Sequence, residues 1–203
     1  MRDFTRWFAL AALLVASVAA RLDAATVDGL PDEAPRCGTI ITVDVSTNTL
    51  YLFEDGQAVV KAPVATGTGK LLRSGNRVWA FHTPRGHLKV LRKVVDPVWR
   101  KPDWAYIEDG DRIPPANSPA RNIRGHLGKY ALDLGGGVMI HGTDEPRSIG
   151  RKVSHGCVRL SNKALKEVYQ AVEVGTDVYI FESQPVQEST TDLHSDLDIG
   201  ERK

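Results

Sequence analysis

The residues most able to do chemistry lie in Ser154-His155-Gly156-Cys157-Val158-Arg159-Leu160-Ser161-Asn162, with a second histidine upstream in Ile140-His141-Gly142-Thr143. A thiol with one imidazole beside it and another a short loop away has the parts of a nucleophile. One imidazole can take the thiol proton, and glycine-flanked backbone N–H groups can receive a developing oxyanion. With two cysteines in 203 residues, a disulfide framework is disfavoured and reactivity is the better explanation for Cys157. A free cysteine has a pKa of about 8.5, so an imidazole is needed to lower it or to take the proton during attack. If the segment is extended, the His155 side chain points away from that of Cys157, which favours a structural or oxyanion-side role. Gly156 allows close backbone approach, and its N–H with that of Cys157 could form the oxyanion hole.

Arg159 lies two residues after Cys157 and so shares its face on an extended segment. It could hold a substrate carboxylate or form a buried ion pair that fixes the loop. Ser154 and Asn162 read as loop-fixing hydrogen bonders. Trp99 and Trp104, in the aromatic and proline-rich stretch after Asp96, could line a groove for an extended peptide or pack as core or lid. His141, His155 and Cys157 are also zinc-ligand types, but neither Cys-x-x-Cys nor His-Glu-x-x-His spacing accompanies them. Thr66-Gly67-Thr68-Gly69-Lys70 lacks P-loop spacing and reads as a turn. Cys37 reads as a buried or unpaired thiol.

The elements that must position these groups are mostly strands. β-Branched residues fill 39–45, a second strand is expected over 49–54, and Glu54-Asp55-Gly56-Gln57 signals a hairpin into 58–64. Residues 87–95 alternate well enough for one further strand. Val138-Met139-Ile140 reads as a short buried strand delivering His141 to its end. Residues 162–172 form the one convincing helix, with Leu165, Val168, Tyr169 and Val172 at helical spacing and Asn162 as N-cap.

Taken together, His-Gly-Thr followed by Ser-His-Gly-Cys-Val-Arg-Leu-x-Asn resembles the L,D-transpeptidase catalytic (YkuD-type) domain. The likeness extends to the opening hairpin (Ile41 to Phe53), Pro63-Val64-Ala65-Thr66-Gly67, Thr83-Pro84-Arg85-Gly86, the Pro-x-Trp at Pro97 to Trp99, and Gly175 to Ile180. The resemblance implies a single mainly β domain, a sandwich or barrel of mixed sheets with a few short helices. It also implies a metal-free, cofactor-free thiol enzyme. In it Cys157 is the nucleophile, His141 the base, and a backbone carbonyl such as that of Gly142 orients the ring. The implied partners are peptidoglycan stem peptides, with an envelope lipoprotein as a further acceptor. Activity as an L,D-carboxypeptidase or lipoprotein-releasing hydrolase, or a non-catalytic wall-binding role, are the alternatives.

Composition is compatible with this. The chain is 42% hydrophobic and 25% charged, enough for a real core, and its net charge of +1 gives no overall basic field for nucleic acid. Residues 1–20 read as a signal peptide: Arg2 and Arg6 precede an apolar run of about fourteen residues, short of the ~20 that span a bilayer comfortably. Small residues at Val18-Ala19-Ala20 offer a cleavage site, and Ser17-Val18-Ala19 a competing one. Export to the periplasm is expected, with an uncleaved inner-membrane anchor as the alternative. Residues 21–37 read as a linker, 38–182 as the catalytic domain and 183–203 as a disordered polar tail. The sequence assigns no oligomeric state.

Overall fold

The computed structural model describes residues 29–183. The residues read as a signal peptide, the first part of those read as a linker, and those read as a tail beyond Ser183 lie outside the described residues. In chain order the strands begin with β1 (Thr39–Asp44), β2 (Thr49–Glu54), β3 (Gln57–Pro63), β4 (Thr66–Gly67), β5 (Leu71–Ser74), β6 (Arg77–Ala80), β7 (Gly86–Lys89) and β8 (Arg92–Val95). β9 (Val98–Arg100), helix α1 (Asp103–Asp109), β10 (Asn122–Arg124), β11 (Tyr130–Gly135) and β12 (Val138–His141) follow. The order closes with β13 (Lys152–Ser154), β14 (Val158–Arg159), helix α2 (Asn162–Ala171) and β15 (Asp177–Phe181). The protein is mainly β, as expected.

Two sheets carry the fold. The larger has the order β3-β2-β1-β15-β7, and the site-bearing one the order β14-β12-β11-β8. Strand β1 is parallel to β15 and antiparallel to β2. The Asp55-Gly56 turn after β2 has positive φ at both residues (49° and 77°), the twist that a tight hairpin needs. Alternate residues of β1 then face opposite ways. Ile41 and Val43 join Leu50, Leu52, Val178 and Ile180 in the main core, where Leu132, Ile140, Val158 and Leu165 meet them from the other sheet and α2. Ile40, Tyr51, Phe53 and Tyr179 face outward and are covered by Leu30 and Ala34, so the end of the segment read as a linker packs on the sheet. At the far end of β1, the Asp44 carboxylate accepts hydrogen bonds from Ser46, Thr47 and Ser183.

Three local expectations need correction. Residues 87–95 are two strands in different sheets, β7 and β8. Between them the Val90 N–H bonds the Thr176 carbonyl and the Leu91 N–H the Asp133 carbonyl, so the chain steps across the core there. Helix α2 is capped by Ser161, whose hydroxyl accepts the Ala164 N–H at 3.2 Å, and Asn162 is its first helical residue. A short helix, α1, had no counterpart in the sequence reading. It follows Pro102 and ends at Gly110 in a left-handed cap (φ 73°). Among the described residues no helix is long and apolar enough to cross a membrane.

Candidate active site

The parallel pairing of β12 with β14 assembles the site. Ile140 sits opposite Val158 and His141 opposite Arg159. Alternation places Ile140 and Val158 in the core, while Met139, His141, Cys157 and Arg159 line a cleft of about 630 Å³. Cys157 therefore stands at the entry of β14, just before the loop into α2. It reaches the same wall as His141, sixteen residues upstream, because the two strands are neighbours.

His141 is buried, with 3% exposure. Its Nδ1 lies 2.6 Å from the Gly142 carbonyl oxygen, which can only accept, so Nδ1 carries the proton and Nε2 keeps a lone pair. Burial pushes the pKa down to about 4, against an upward pull from the Gly142 carbonyl, and Arg159 lowers it further. The ring is a neutral base at pH 7. Gly142 has no room for a side chain, since a Cβ there would meet Asn162 Oδ1 at 2.1 Å. Asn162 in turn donates to the Thr143 carbonyl at 3.2 Å, which pins the loop after β12.

The Cys157 thiol donates to the Gly137 carbonyl at 3.6 Å rather than to His141. Gly137 ends the turn Gly135-Gly136-Gly137, in which all three residues have positive φ (86°, 59° and 82°). Burial pushes the thiol pKa up, and the Met139 N–H and Arg159 only partly oppose it. A thiol lowered by an adjacent imidazole was one expectation from the sequence. The structure instead holds a neutral thiol and a neutral imidazole on one wall.

The oxyanion expectation changes too. The Gly156 N–H is taken by Ser154 Oγ at 3.2 Å, and the Ser154 hydroxyl donates to the Cys157 carbonyl at 2.6 Å. Among the described residues no hydrogen bond uses the Cys157 N–H, which leaves it as the free donor. Gly156 has φ +128°, and a Cβ there would sit 3.1 Å from the His82 carbonyl oxygen. His155 turns away from the thiol. Its Nε2 lies 2.7 Å from Glu108 on α1, and its ring stacks on Trp104 (4.0 Å, 20°) and meets Phe81 edge-on. His141, His155 and Cys157 thus do not converge, and no metal-ligand cluster occurs among the described residues. Arg159 pairs with Glu145 at 3.3 Å, a pair open to solvent on the Glu145 side rather than the buried one expected; its backbone bonds Ala65 in both directions and its side chain also lines the cleft. Trp99 and Trp104, 6.3 Å apart, both line it as well. Cys37 is a free, exposed thiol.

A family profile described as "L,D-transpeptidase catalytic domain" (YkuD) matches residues 38–180. The chain belongs to this family. It is 34% identical over 154 residues to "Probable L,D-transpeptidase YbiS" of Escherichia coli, covering 74% of this chain and 46% of that protein. A protein of Salmonella typhimurium, "Probable L,D-transpeptidase ErfK/SrfK", is 34% identical over 151 residues, 72% of this chain and 45% of its own length. The chain thus spans about half the length of these curated relatives. The solved L,D-transpeptidase (residues 123–326) of Xylanimonas cellulosilytica shares the fold, with a TM-score of 0.54, 22% identity, and coverage of 74% of this chain and 64% of that one.

Within this YkuD-type domain, several groups at the site escaped the sequence reading. His126 packs its ring on Trp99 (4.5 Å) and contacts Asp144 at 3.0 Å through Nδ1. Glu108 and Arg100 come from the segment between β8 and β11. None of these lies within a motif, and only the nearby tryptophans hinted that this segment reaches the cleft.

Proposed function

We propose that the protein is an exported L,D-transpeptidase, a cysteine acyltransferase that acts on peptidoglycan tetrapeptide stems through a Cys157 thioester. The observation that carries this reading is the pairing, in one cleft lining, of a thiol with a buried neutral imidazole whose Nε2 has no hydrogen-bond partner among the described residues. Membership of the family and the names of the relatives support the reaction class.

Because both groups start neutral, proton transfer accompanies attack. The sulfur adds to the carbonyl carbon of the third stem residue, a diamino acid, and the thiol proton passes to His141 Nε2. The Gly142 carbonyl steadies the imidazolium, and the Cys157 N–H receives the oxyanion. Collapse breaks the C–N bond to the terminal D-alanine, which leaves with the proton from His141. An amine then adds to the thioester and gives its proton to His141. The C–S bond breaks, and the departing thiolate takes the proton back. A stem-peptide amine as acceptor gives a 3–3 cross-link, and a lipoprotein lysine gives attachment to the wall. Water gives carboxypeptidase or releasing activity, so the choice rests on how well the cleft excludes water and positions the amine.

Residues 1–20 act as the export signal for a periplasmic enzyme. A mature N-terminus near Arg21 supports this, and intact Met1 recovered in membranes contradicts it. For the chemistry, the purified full chain is incubated with tetrapeptide muropeptides, with and without an added amine. Mass spectrometry follows D-alanine release, the Cys157 adduct and the products. Wild type should release D-alanine and Cys157→Ala should not. Identical behaviour of the two sinks the enzyme reading, and stem-peptide binding without an adduct favours a wall-binding role.

A further inference from the structure

The charged side chains lining the cleft are of one sign. Arg100 and Arg159 contribute guanidinium groups, and among the described residues no Asp or Glu lines it. The two arginines are not equivalent. Arg159 is neutralised by Glu145 at 3.3 Å. Near Arg100, Lys101 pairs with Asp109, and Arg121 pairs with Asp103 at 2.7 Å. Arg100 itself has no carboxylate partner among the described residues. Its Nη2 donates to the Ala116 carbonyl and its Nη1 to Asn122 Oδ1 at 3.4 Å, both neutral acceptors. These bonds hold the guanidinium without cancelling its charge. Asn122 is also the cross-strand partner of Arg100 in the β9–β10 ribbon, so the fork is anchored to paired strands. A guanidinium has five N–H donors, and the three left over here suit the two oxygens of a carboxylate.

We infer that Arg100 is a specificity-determining residue that binds a free carboxylate of the peptide substrate, so that the cleft prefers stem peptides carrying that carboxylate over those in which it is masked or missing. The inference rests on the stem-peptide reading above. Stem peptides offer three such groups: the α-carboxylate of the second residue, the side-chain carboxylate of a dicarboxylic third residue, and the C-terminus. The fixed fork also makes lysine a poor substitute, since an ammonium presents a point charge without the planar pair of donors.

The test measures binding, so it does not depend on turnover. The full chain carrying Cys157→Ala is titrated by calorimetry with the free-acid tetrapeptide and three variants. These are the second-residue amide, the peptide with lysine as third residue, and the C-terminal amide. One of the three should bind about tenfold more weakly than the free acid, as expected for a partly exposed charge-assisted contact. In Arg100→Ala that difference should vanish, with the free acid falling to the affinity of the deficient peptide and the latter unchanged. Arg100→Lys should recover only part of it. Arg112→Ala, which removes an exposed cation outside the cleft, should keep the full preference. Binding with no preference, or with a preference that survives Arg100→Ala, overturns the inference and leaves the stem-peptide reading standing. Failure of all four peptides to bind overturns both.

Discussion

Acidification should weaken both catalysis and the fold through one imidazole. Burial lowers the His141 pKa from 6.5 to about 4. In the unfolded chain the same ring titrates at its ordinary value. Between pH 6.5 and 4 the unfolded state therefore binds a proton that the folded state refuses, and stability falls with pH across that window. At about 1.4 kcal/mol per pH unit, the loss reaches about 3 kcal/mol by pH 4 and then levels off. That is a large part of the 5–15 kcal/mol typical of a domain. Chemical denaturation of wild type and His141→Asn at intervals from pH 7.5 to 4 isolates the effect, because contributions from the carboxylates cancel in the difference. The wild-type curve should lose about 3 kcal/mol relative to the variant. In the same window, kcat/KM for acylation of Cys157 should stay level down to about pH 5 and fall only near 4, since its acid limb reports the free base. Parallel stability curves, or an acid limb near 6.5, would refute the claim that this ring is desolvated and neutral.

Three further outcomes follow from the same geometry. Burial raises the Cys157 thiol, so alkylation by iodoacetamide should be slow at pH 7 and titrate above the range of a free cysteine in wild type and His141→Ala alike; a thiolate titrating near pH 6 would show a preformed ion pair instead. Gly156→Ala should lower acylation by about 10² or more while shifting Tm by only a few degrees, because it displaces the nucleophile loop from the His82 carbonyl at the cleft wall; unchanged acylation would show that the loop position is not limiting. Asp44→Ala should destabilise the protein by about 1–3 kcal/mol at pH 7 by denaturant titration. Burial alone would raise this carboxyl, but hydrogen bonds from Ser46 and Ser183 outweigh it and hold the pKa at about 2, so the wild-type advantage should fade from pH 3.8 toward 2.

What could be read from the chain without a structure divides along a physical line. The proposed nucleophile Cys157, with Gly156 and Ser154, forms one run of sequence, so residue type and spacing single these positions out directly. The strands of the opening hairpin carry their own β-branched and Asp-Gly signals, and these are local as well. Residues 87–95 show where local signals mislead. Alternation describes a strand and says nothing of which sheet it joins, so a chain that steps from β7 to β8 through buried Val90 looks continuous. Ser161, the cap, and Asn162, the first helical residue, are adjacent in sequence, and both types suit the cap position. Only the bond from the Ala164 N–H decides between them.

The charge states at the site were the least legible part, because they arise from burial and from partners distant in sequence. A cysteine near two histidines suggests an ion pair on paper. In the fold, one histidine is drawn to Glu108 on a helix forty-seven residues away, and the other is buried until it cannot take a second proton at pH 7. The thiol is half-buried at the cleft and bonds a carbonyl from the glycine turn. For the proposed mechanism a resting neutral pair has a chemical consequence: the thiol would stay protonated until a substrate carbonyl arrives, when attack and proton transfer would proceed together. The glycines at 142 and 156 then matter for a reason composition does not show. Gly142 lets the loop close against Asn162 while its carbonyl holds the His141 ring, and Gly156 lets the loop before Cys157 lie against the His82 carbonyl, where a Cβ would come within 3.1 Å.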